Sequence, residues 1–553
     1  MPTYDAFCRA PLVNPVLVAL PDSAVRVGGL HERLTRCALQ NVALNAISPL
    51  DAVLATKLGG YEELPAPPDL RAWEAHLADQ PRGFVEAVRA AVMLAAAAHD
   101  KDAMLDALDA MRAFEENMSS LPEDVLMALG ADALRVCGEM YRRTGQKFLL
   151  AIMERCRAQL PDVSGMFHSF PFLRAFAPEK TDPAAMDETS LYYRRMERLG
   201  TGALTADALA ITASLALYSG SARDASASKA GVSALQRYHG LPSGAFSADP
   251  YLAGRDPSRS SDLYAVCAYA EALYDLLAAS GDLSFAEKLE VLTQNALANF
   301  FTEDGVRATQ SVNRLADDPG CAAAAPAPAQ TSSLLRALYA VRRAVWMVKA
   351  EDELCMLLPY DGCCLTRMGG VPVRITAETK DFGEMELSVE ARKPVAFALS
   401  LRVPSWSDGA SVGVNGGKPQ HADANTLFTL RREFKTGDTV QLHLPCEARV
   451  ETGFRGSASV FCGPVLMALP LPETNAAWQY ALDSGVMPKL EIADGRPLAR
   501  VDACDAMDWT ARQGVIAPPP QGMRMGAGYE LTLLPYAETA GRIAAFPQAG
   551  NRE

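Results

Sequence analysis

The stretch VAFALSLRVPSWSDGASVGVNGG, from Val395 to Gly417, carries a large apolar residue at every second position in its first nine residues. This alternation is typical of a β-strand with one buried face. The dipeptide Asn415-Gly416 near its end favours the left-handed backbone of a tight hairpin turn. The stretch therefore predicts antiparallel β-structure.

Similar short alternating segments extend in both directions from this stretch, from about residue 350 to near the end of the chain. They include VPVRITAET, EMELSVEA, DTVQLHLP and YELTLLPYAE. Short strands separated by turn residues indicate an antiparallel sandwich. We predict a β-sandwich over residues 349–470 and a second, smaller β unit over 471–553.

The first part of the chain has a helical period instead. In DLYAVCAYAEALYDLLAASGD, apolar residues recur every three or four positions, and Ser284 with Glu287 predicts a capping box at the start of the next helix. Helical pairs of this kind indicate a toroid of helical hairpins over residues 1–348, whose first 24 or so residues could pair with the β region. The predicted fold class is multidomain α+β.

The composition excludes several kinds of partner. The chain has 553 residues, a formal net charge of -14 and no basic patch interleaved with aromatic residues, so neither nucleic acid nor an anionic membrane is an expected partner. Its twelve cysteines form no C-x-x-C pair and are expected to be reduced thiols. With no basic, apolar leader at the N-terminus, we expect a cytoplasmic protein.

Several motifs occur in an order that resembles a known family. They are KLGGYEELP, GAFSADPYLAGRDPSRSSDL, SGDLSFAEKLEVLTQNALANFF, LRVPSWSDGASVGVNGG and LTLLPYAETAGRIAAFP. Together they resemble the non-reducing-end β-L-arabinofuranosidases, a glycoside hydrolase family formerly called DUF1680 and numbered 127. The resemblance implies an (α/α)6 barrel followed by antiparallel β-sandwich domains.

The resemblance also implies a zinc site in which a cysteine thiolate is the nucleophile and a glutamate is the acid/base. The family's zinc-ligating Glu-x-Cys corresponds here to Asp262 and Tyr264. Its Gly-Cys-Cys motif, counted back from Trp346-Met347, falls on Ala329-Gln330-Thr331. The family's catalytic cysteines, glutamate and histidines are therefore largely absent, and we expect no metal and no cofactor.

Two groups of cysteines are the remaining candidates for a rebuilt metal site. Cys321 is the only cysteine near the position of the missing pair, and Cys363-Cys364 are adjacent but lie in a segment that matches the first sandwich strands. A structural zinc site needs four converging ligands. We therefore interpret Cys363 and Cys364 as two thiols at a strand, and leave Cys321 open.

Asp249 and Asp262 are the candidate catalytic residues, because they flank the loop that holds the family's carboxylates. Two carboxylates can run acid/base glycoside hydrolysis without a metal. The alternative is purely structural: Asp249 would stabilise a turn and Asp262 would cap the following helix.

The candidate substrate-binding residues are Tyr61, Glu62, Arg255 and Tyr264. Arg255 is part of the LAGR match and is suited to bind a sugar hydroxyl, although a loop arginine needs no such role. Tyr61 and Glu62 resemble a family loop near the substrate, and a solvated turn is the alternative.

The sequence thus predicts a glycoside hydrolase-like protein that acts on, or binds, a small furanosyl sugar after losing the zinc-thiolate mechanism. The alternative is a catalytically inactive protein that binds a carbohydrate or a partner. A small carbohydrate and a second copy of the chain in a homodimer are the expected partners.

Overall fold

The structure is a computed structural model that describes residues 8–42, 47–60, 63–177, 188–314, 323–350, 352–471, 480–483, 485–506 and 525–549. Helices occupy its first part. They are α1 (Gly29–Val42), α2 (Pro49–Gly59), α3 (Leu70–Glu74), α4 (Pro81–Ala98), α5 (Lys101–Asn117), α6 (Glu123–Thr144), α7 (Phe148–Gln159), α8 (Val163–His168), α9 (Glu188–Leu199), α10 (Gly202–Ser219), α11 (Ala222–His239), α12 (Leu263–Ser280), α13 (Leu283–Leu292), α14 (Ala298–Phe300) and α15 (Pro328–Val345).

Six of these helices form a closed inner ring. Helices α2, α4, α6, α10, α12 and α15 each pack on the next, and α15 packs back on α2. Helices α1, α5, α7, α11 and α13 pack against the ring from outside. This double ring is an (α/α)6 barrel, so the predicted helical fold is confirmed.

The composition of α10 fits its position in the inner ring of helices. α10 is apolar around most of its circumference, as expected for a helix with neighbours on all sides. By length and composition α10 is the one described helix that could cross a membrane, yet 56% of it is buried within the protein. In this fold its apolar surface packs against the helices on either side of it.

The described strands form three larger sheets and two short two-stranded sheets. The strands are β1 (Val18–Ala19), β2 (Val25–Val27), β3 (Ser260–Asp262), β4 (Phe301–Thr302), β5 (Gly305–Val306), β6 (Thr309–Ser311), β7 (Trp346–Ala350), β8 (Glu353–Met356), β9 (Gly362–Met368), β10 (Val371–Asp381), β11 (Glu384–Ala391), β12 (Val395–Val403), β13 (Ser411–Val414), β14 (Gln420–His421), β15 (Thr426–Phe434), β16 (Thr439–His443), β17 (Ala448–Thr452), β18 (Ala458–Cys462), β19 (Val465–Pro470), β20 (Tyr480–Asp483), β21 (Lys489–Ala493), β22 (Arg496–Ala506), β23 (Met525–Pro535), β24 (Arg542–Ile543) and β25 (Gln548–Ala549). The two-stranded sheets, β3-β6 and β4-β5, lie in the barrel part of the chain.

The first two sheets form the sandwich. One has the order β1-β7-β8-β12-β15 and the other β14-β13-β16-β11-β10-β9-β2. The start of the chain therefore contributes an edge strand to each sheet, through β1 on β7 and β2 on β9. Asn415 and Gly416, at φ 53° and 68°, form the turn after β13 that the Asn-Gly dipeptide predicts.

The third sheet begins before residue 471. β17, β18 and β19 belong to the nine-stranded C-terminal sheet, and Ala448, Val460 and Met467 lie in its separate apolar core. The structure thus places residues 448–470 with the C-terminal unit rather than with the sandwich.

Polar contacts fix the barrel against both β units. Arg402 of β12 is almost fully buried and pairs with Glu290 of α13. The Asn295 side chain accepts a hydrogen bond from Leu466 N at 2.8 Å and donates to Pro464 O at 2.9 Å. These buried bonds join α13 and the helical turn that follows it to the β units.

The expected capping box at Ser284 and Glu287 is wrong. The residue that caps α13 is Asp282, whose side chain accepts from Ser284 N at 3.0 Å. Glu287 accepts from Ser405 N at 2.9 Å instead, and so joins the helix to a sandwich loop. Local spacing does not reveal this contact, because Ser405 is distant in sequence.

Candidate functional site

Asp262 lies at the mouth of the barrel, where the inner helices begin. Its Oδ1 accepts a hydrogen bond from Ala265 N at 2.7 Å, so Asp262 is the N-cap of α12. Burial raises the pKa of its carboxyl to about 6, and the nearby Asp249 adds to the increase. The structure thus confirms the capping role, and the raised pKa of the carboxyl favours its protonated form in weakly acidic solution.

Asp249 lies beside Asp262 because the two chain segments are hydrogen-bonded. Asp262 N donates to Ala248 O at 2.9 Å, and Ala248 N donates to Ser260 O at 2.8 Å. Asp249 itself is exposed. The mouth therefore combines one half-buried carboxyl and one exposed carboxyl on neighbouring segments.

Tyr264 is the third predicted residue that the structure places at the mouth. It lies in the first turn of α12 and is 40% exposed. Burial of the remainder, together with the Asp262 charge, raises the pKa of its phenol. A neutral phenol at this point can donate a hydrogen bond to a ligand.

Arg255 lies in the same loop, but the structure places it elsewhere. It lines a separate small cavity against the C-terminal sheet, together with Pro257 and residues of β17 and β18. Tyr61 and Glu62, the other two predicted substrate-binding residues, lie outside the described residues.

A buried ion network crosses the barrel below the mouth, and the sequence analysis missed it. Arg336 of α15 binds Asp132 Oδ2 at 2.5 Å, Glu271 Oε1 at 2.9 Å and Glu86 Oε1 at 3.3 Å. Arg89 and Arg135 bind Asp132 Oδ1 at 2.9 and 3.0 Å.

The arginines of this network determine whether its carboxyl groups are ionised. Burial opposes ionisation of Asp132, but Arg336, Arg89 and Arg135 lower its pKa well below the usual value. Asp207 on α10 lies near the same arginines, yet burial raises its pKa to about 6. The available signal in the sequence was charged residues spaced three or four apart on apolar helices, such as Glu86 and Arg89.

A large cavity of about 2080 Å³ lies on the other side of this network. Its walls include the last turns of the inner helices, residues 19–28 and strands β9 and β10. Tyr274, Tyr339 and Arg343 line it, with the Arg343 guanidinium 4.9 Å from the centre of the Tyr274 ring. The cavity meets the last turns of α12, whereas Asp262 caps its start and Tyr264 lies in its first turn, so these two residues and the neighbouring Asp249 lie at the opposite end of the barrel.

Residues 362–446 match the sequence model of the β-L-arabinofuranosidase, GH127 middle domain. Over these residues the chain is similar to the GH127 middle domain. The resemblance found in the sequence is thereby confirmed, and so is the fold class.

The solved structures extend this likeness over the whole chain. A structure described as a glycoside hydrolase aligns with a TM-score of 0.71 at 15% identity, covering 99% of this chain and 100% of that one. A GH127 β-L-arabinofuranosidase from Geobacillus stearothermophilus T6 gives 0.64 at 15%, covering 94% and 98%. A GH127 β-arabinofuranosidase, BT3674, gives 0.56 at 13%, covering 97% and 98%. No curated protein sequence matches. At this identity the structures establish the fold alone.

The residues of this chain do not fit the zinc site that the family resemblance implies. Asp262 is engaged as a helix cap, and Tyr264 offers a phenol where a thiolate would be needed. Among the described residues, no three His, Cys, Asp or Glu side chains converge as a metal site.

The alternative cysteines do not rebuild this site within the described part of the chain. Cys364 is buried in the sandwich, and Cys363 lines the large cavity at the far end of the barrel from Asp262. Both belong to β9, where they pair with Ile375 and Thr376 of β10. Cys321 lies outside the described residues.

We therefore expect chelator-washed protein to take up much less than one zinc per chain when zinc is offered back. Mass spectrometry of the metal content measures this directly. A stoichiometric zinc would contradict this expectation, and loss of the uptake in Cys321→Ser would then identify Cys321 as a ligand.

Proposed function

We propose that this protein hydrolyses a small furanosyl glycoside at the mouth of its barrel, without the zinc-thiolate chemistry of the family. The observation that carries the proposal is the pairing of Asp262, a half-buried carboxyl whose pKa is raised to about 6, with the exposed carboxyl of Asp249. Acid/base glycoside hydrolysis requires two carboxyl groups whose different environments let one act as the acid and the other as the base.

In this mechanism the protonated Asp262 donates its proton to the glycosidic oxygen while the bond to the anomeric carbon breaks. Asp249 accepts a proton from a water molecule, whose oxygen forms the new bond to the anomeric carbon. The exposure of Asp249 suits this role because the base must be in contact with water. Both groups return to their starting protonation states by exchange with solvent.

We also infer the charge of the substrate, the location of the protein and its oligomeric state. A neutral sugar suits a mouth with two acids and a phenol, none of which would favour an anionic ligand. We further propose a cytoplasmic location, which is supported by the free thiols of all eleven described cysteines, and a homodimer.

A second candidate function is sugar or partner binding without turnover. One observation favours it: the cavity of about 2080 Å³ lies at the end of the barrel away from Asp249 and Asp262. A protein that uses only this cavity would need neither carboxylate.

The pH dependence of hydrolysis tests the proposed function. The pKa of Asp262 is raised to about 6, so the carboxyl is protonated below pH 6 and loses its proton above it. Because the general acid must be protonated, kcat/KM for a 4-nitrophenyl furanoside should fall as the pH rises through about 6. The assay should include EDTA, which is expected to leave the rate unchanged.

Other outcomes separate the two candidates. A rate that increases through pH 6 would assign Asp262 as a base, and a rate abolished by EDTA would restore metal chemistry. Saturable sugar binding with no turnover at any pH would favour the second candidate.

A further inference from the structure

The small cavity beside Arg255 lies between the barrel and the C-terminal sheet. It has a volume of about 140 Å³, and we call it the interface cavity. The barrel contributes Gln236, Arg255 and the backbone around Pro257. The C-terminal unit contributes the following residues: Glu451, Thr452, Gly453, Phe454, Ser457, Ser459 and Phe461.

Three of the residues that line this cavity each have a side-chain polar atom that is buried without a hydrogen-bond partner. These atoms are Arg255 Nε, Ser457 Oγ and Ser459 Oγ. Ser457 and Ser459 are 1% and 2% exposed. An unsatisfied buried polar group is costly, so several of them around one cavity point to a polar occupant.

We infer that the interface cavity binds one neutral sugar unit. The wall offers hydrogen-bond donors from Arg255 and the two serines, and it offers a carboxylate from Glu451. Glu451 already accepts from Arg449 through Oε1, at 2.9 Å from Nη2, and is about half exposed. A neutral polyol has hydroxyls that both donate and accept, whereas an oxyanion would be repelled by Glu451.

The volume of the cavity and the apolar part of its wall also fit a neutral sugar. Phe454 and Phe461 line the cavity, and an arginine guanidinium lies over one face of each ring, Arg455 over Phe454 and Arg449 over Phe461. Such rings are suited to pack on the C–H face of a sugar. An engineered apolar cavity of about 150 Å³ binds a benzene molecule. A five-membered sugar ring, whose hydroxyls extend to the walls, is of similar size.

This inference rests on the proposed function for the identity of the ligand as a furanosyl sugar, but not for its place. The loop that carries Arg255 ends at Asp262, so one segment of the barrel forms part of both sites. The interface cavity would give the C-terminal sheet a part in sugar recognition.

The test uses methyl β-L-arabinofuranoside as the probe, soaked into crystals of the full chain and titrated in solution by saturation-transfer NMR. We expect the sugar ring in the interface cavity, within hydrogen-bond distance of Arg255, Ser457 and Ser459. The double variant Ser457→Ala/Ser459→Ala should bind there at least about tenfold more weakly, since it loses two hydroxyl hydrogen bonds.

Ser243→Ala is the matched control. Ser243 also has a buried hydroxyl without a partner, but it does not line the cavity, so its removal should leave binding unchanged. Ordered water molecules alone in the cavity of soaked crystals would overturn the inference, as would unchanged binding by the double variant.

Measuring hydrolysis in the same variants keeps the two proposals apart. If Asp262→Asn abolishes hydrolysis and the sugar is absent from the cavity, the inference fails and the proposed function stands. If the sugar occupies the cavity but no variant or wild type hydrolyses a furanoside, the proposed function fails and the inference stands.

Discussion

Replacing Arg336 with methionine is expected to lower the free energy of unfolding of the barrel by about 3–5 kcal/mol. All three guanidinium nitrogens of Arg336 bind carboxylates, and its side chain is 7% exposed. Methionine preserves much of the apolar stem but leaves Glu86, Asp132 and Glu271 with less positive charge around them. The cost arises from those buried carboxylates, which lose their partner while remaining out of water.

Arg82→Met is the matched control because Arg82 binds the same carboxylate. Its Nε lies 3.2 Å from Glu86 Oε1, but the Arg82 side chain is 61% exposed. An exposed pair contributes less than about 1 kcal/mol. Guanidinium denaturation, monitored by the helical circular dichroism signal, should show a large shift of the barrel transition for Arg336→Met and a small one for Arg82→Met. Equal shifts would show that burial of the network does not set its strength.

The ion network also shows which features of this fold can be predicted from the sequence and which cannot. The periods of three to four and of two identify helices and strands, since each reflects a local burial pattern that neighbouring residues determine. Glu86, Asp132, Glu271 and Arg336 lie on four helices, and only closure of the ring brings them together. Their spacing shows that charged residues interrupt apolar helices, but it does not reveal which charges meet.

Prediction of the candidate site from the sequence meets the same limit. The sequence brings Asp249 and Asp262 into one loop, and the hydrogen bond from Asp262 N to Ala248 O makes them neighbours in space. Arg255 comes from that loop too, yet its side chain lies against the C-terminal sheet. The direction of a loop side chain depends on the surface that packs over it, and here that surface is formed by residues some 200 positions later.

Asp262→Asn is expected to reduce kcat/KM for an aryl furanoside by about 10²–10⁴-fold, the usual contribution of a general acid. Asparagine is as good an N-cap as aspartate, so the hydrogen bond to Ala265 N and the stability of α12 should persist. The substitution therefore separates the chemical role of the carboxyl from its structural one. The decrease in rate near pH 6 should disappear from the residual activity, because the group that titrates there has been removed.

Asp282→Asn is the control for this substitution. Asp282 caps α13 as Asp262 caps α12, but Ser284 and Lys229 lower its pKa against the effect of burial, and it is not at the mouth. Its replacement should leave both the rate and the pH profile unchanged. If Asp262→Asn retains the wild-type rate while Asp262→Ala lowers the melting temperature, Asp262 is only a helix cap. Hydrolysis would then have to be assigned to other carboxyls, and Asp207, whose pKa is also about 6, would be the first to test.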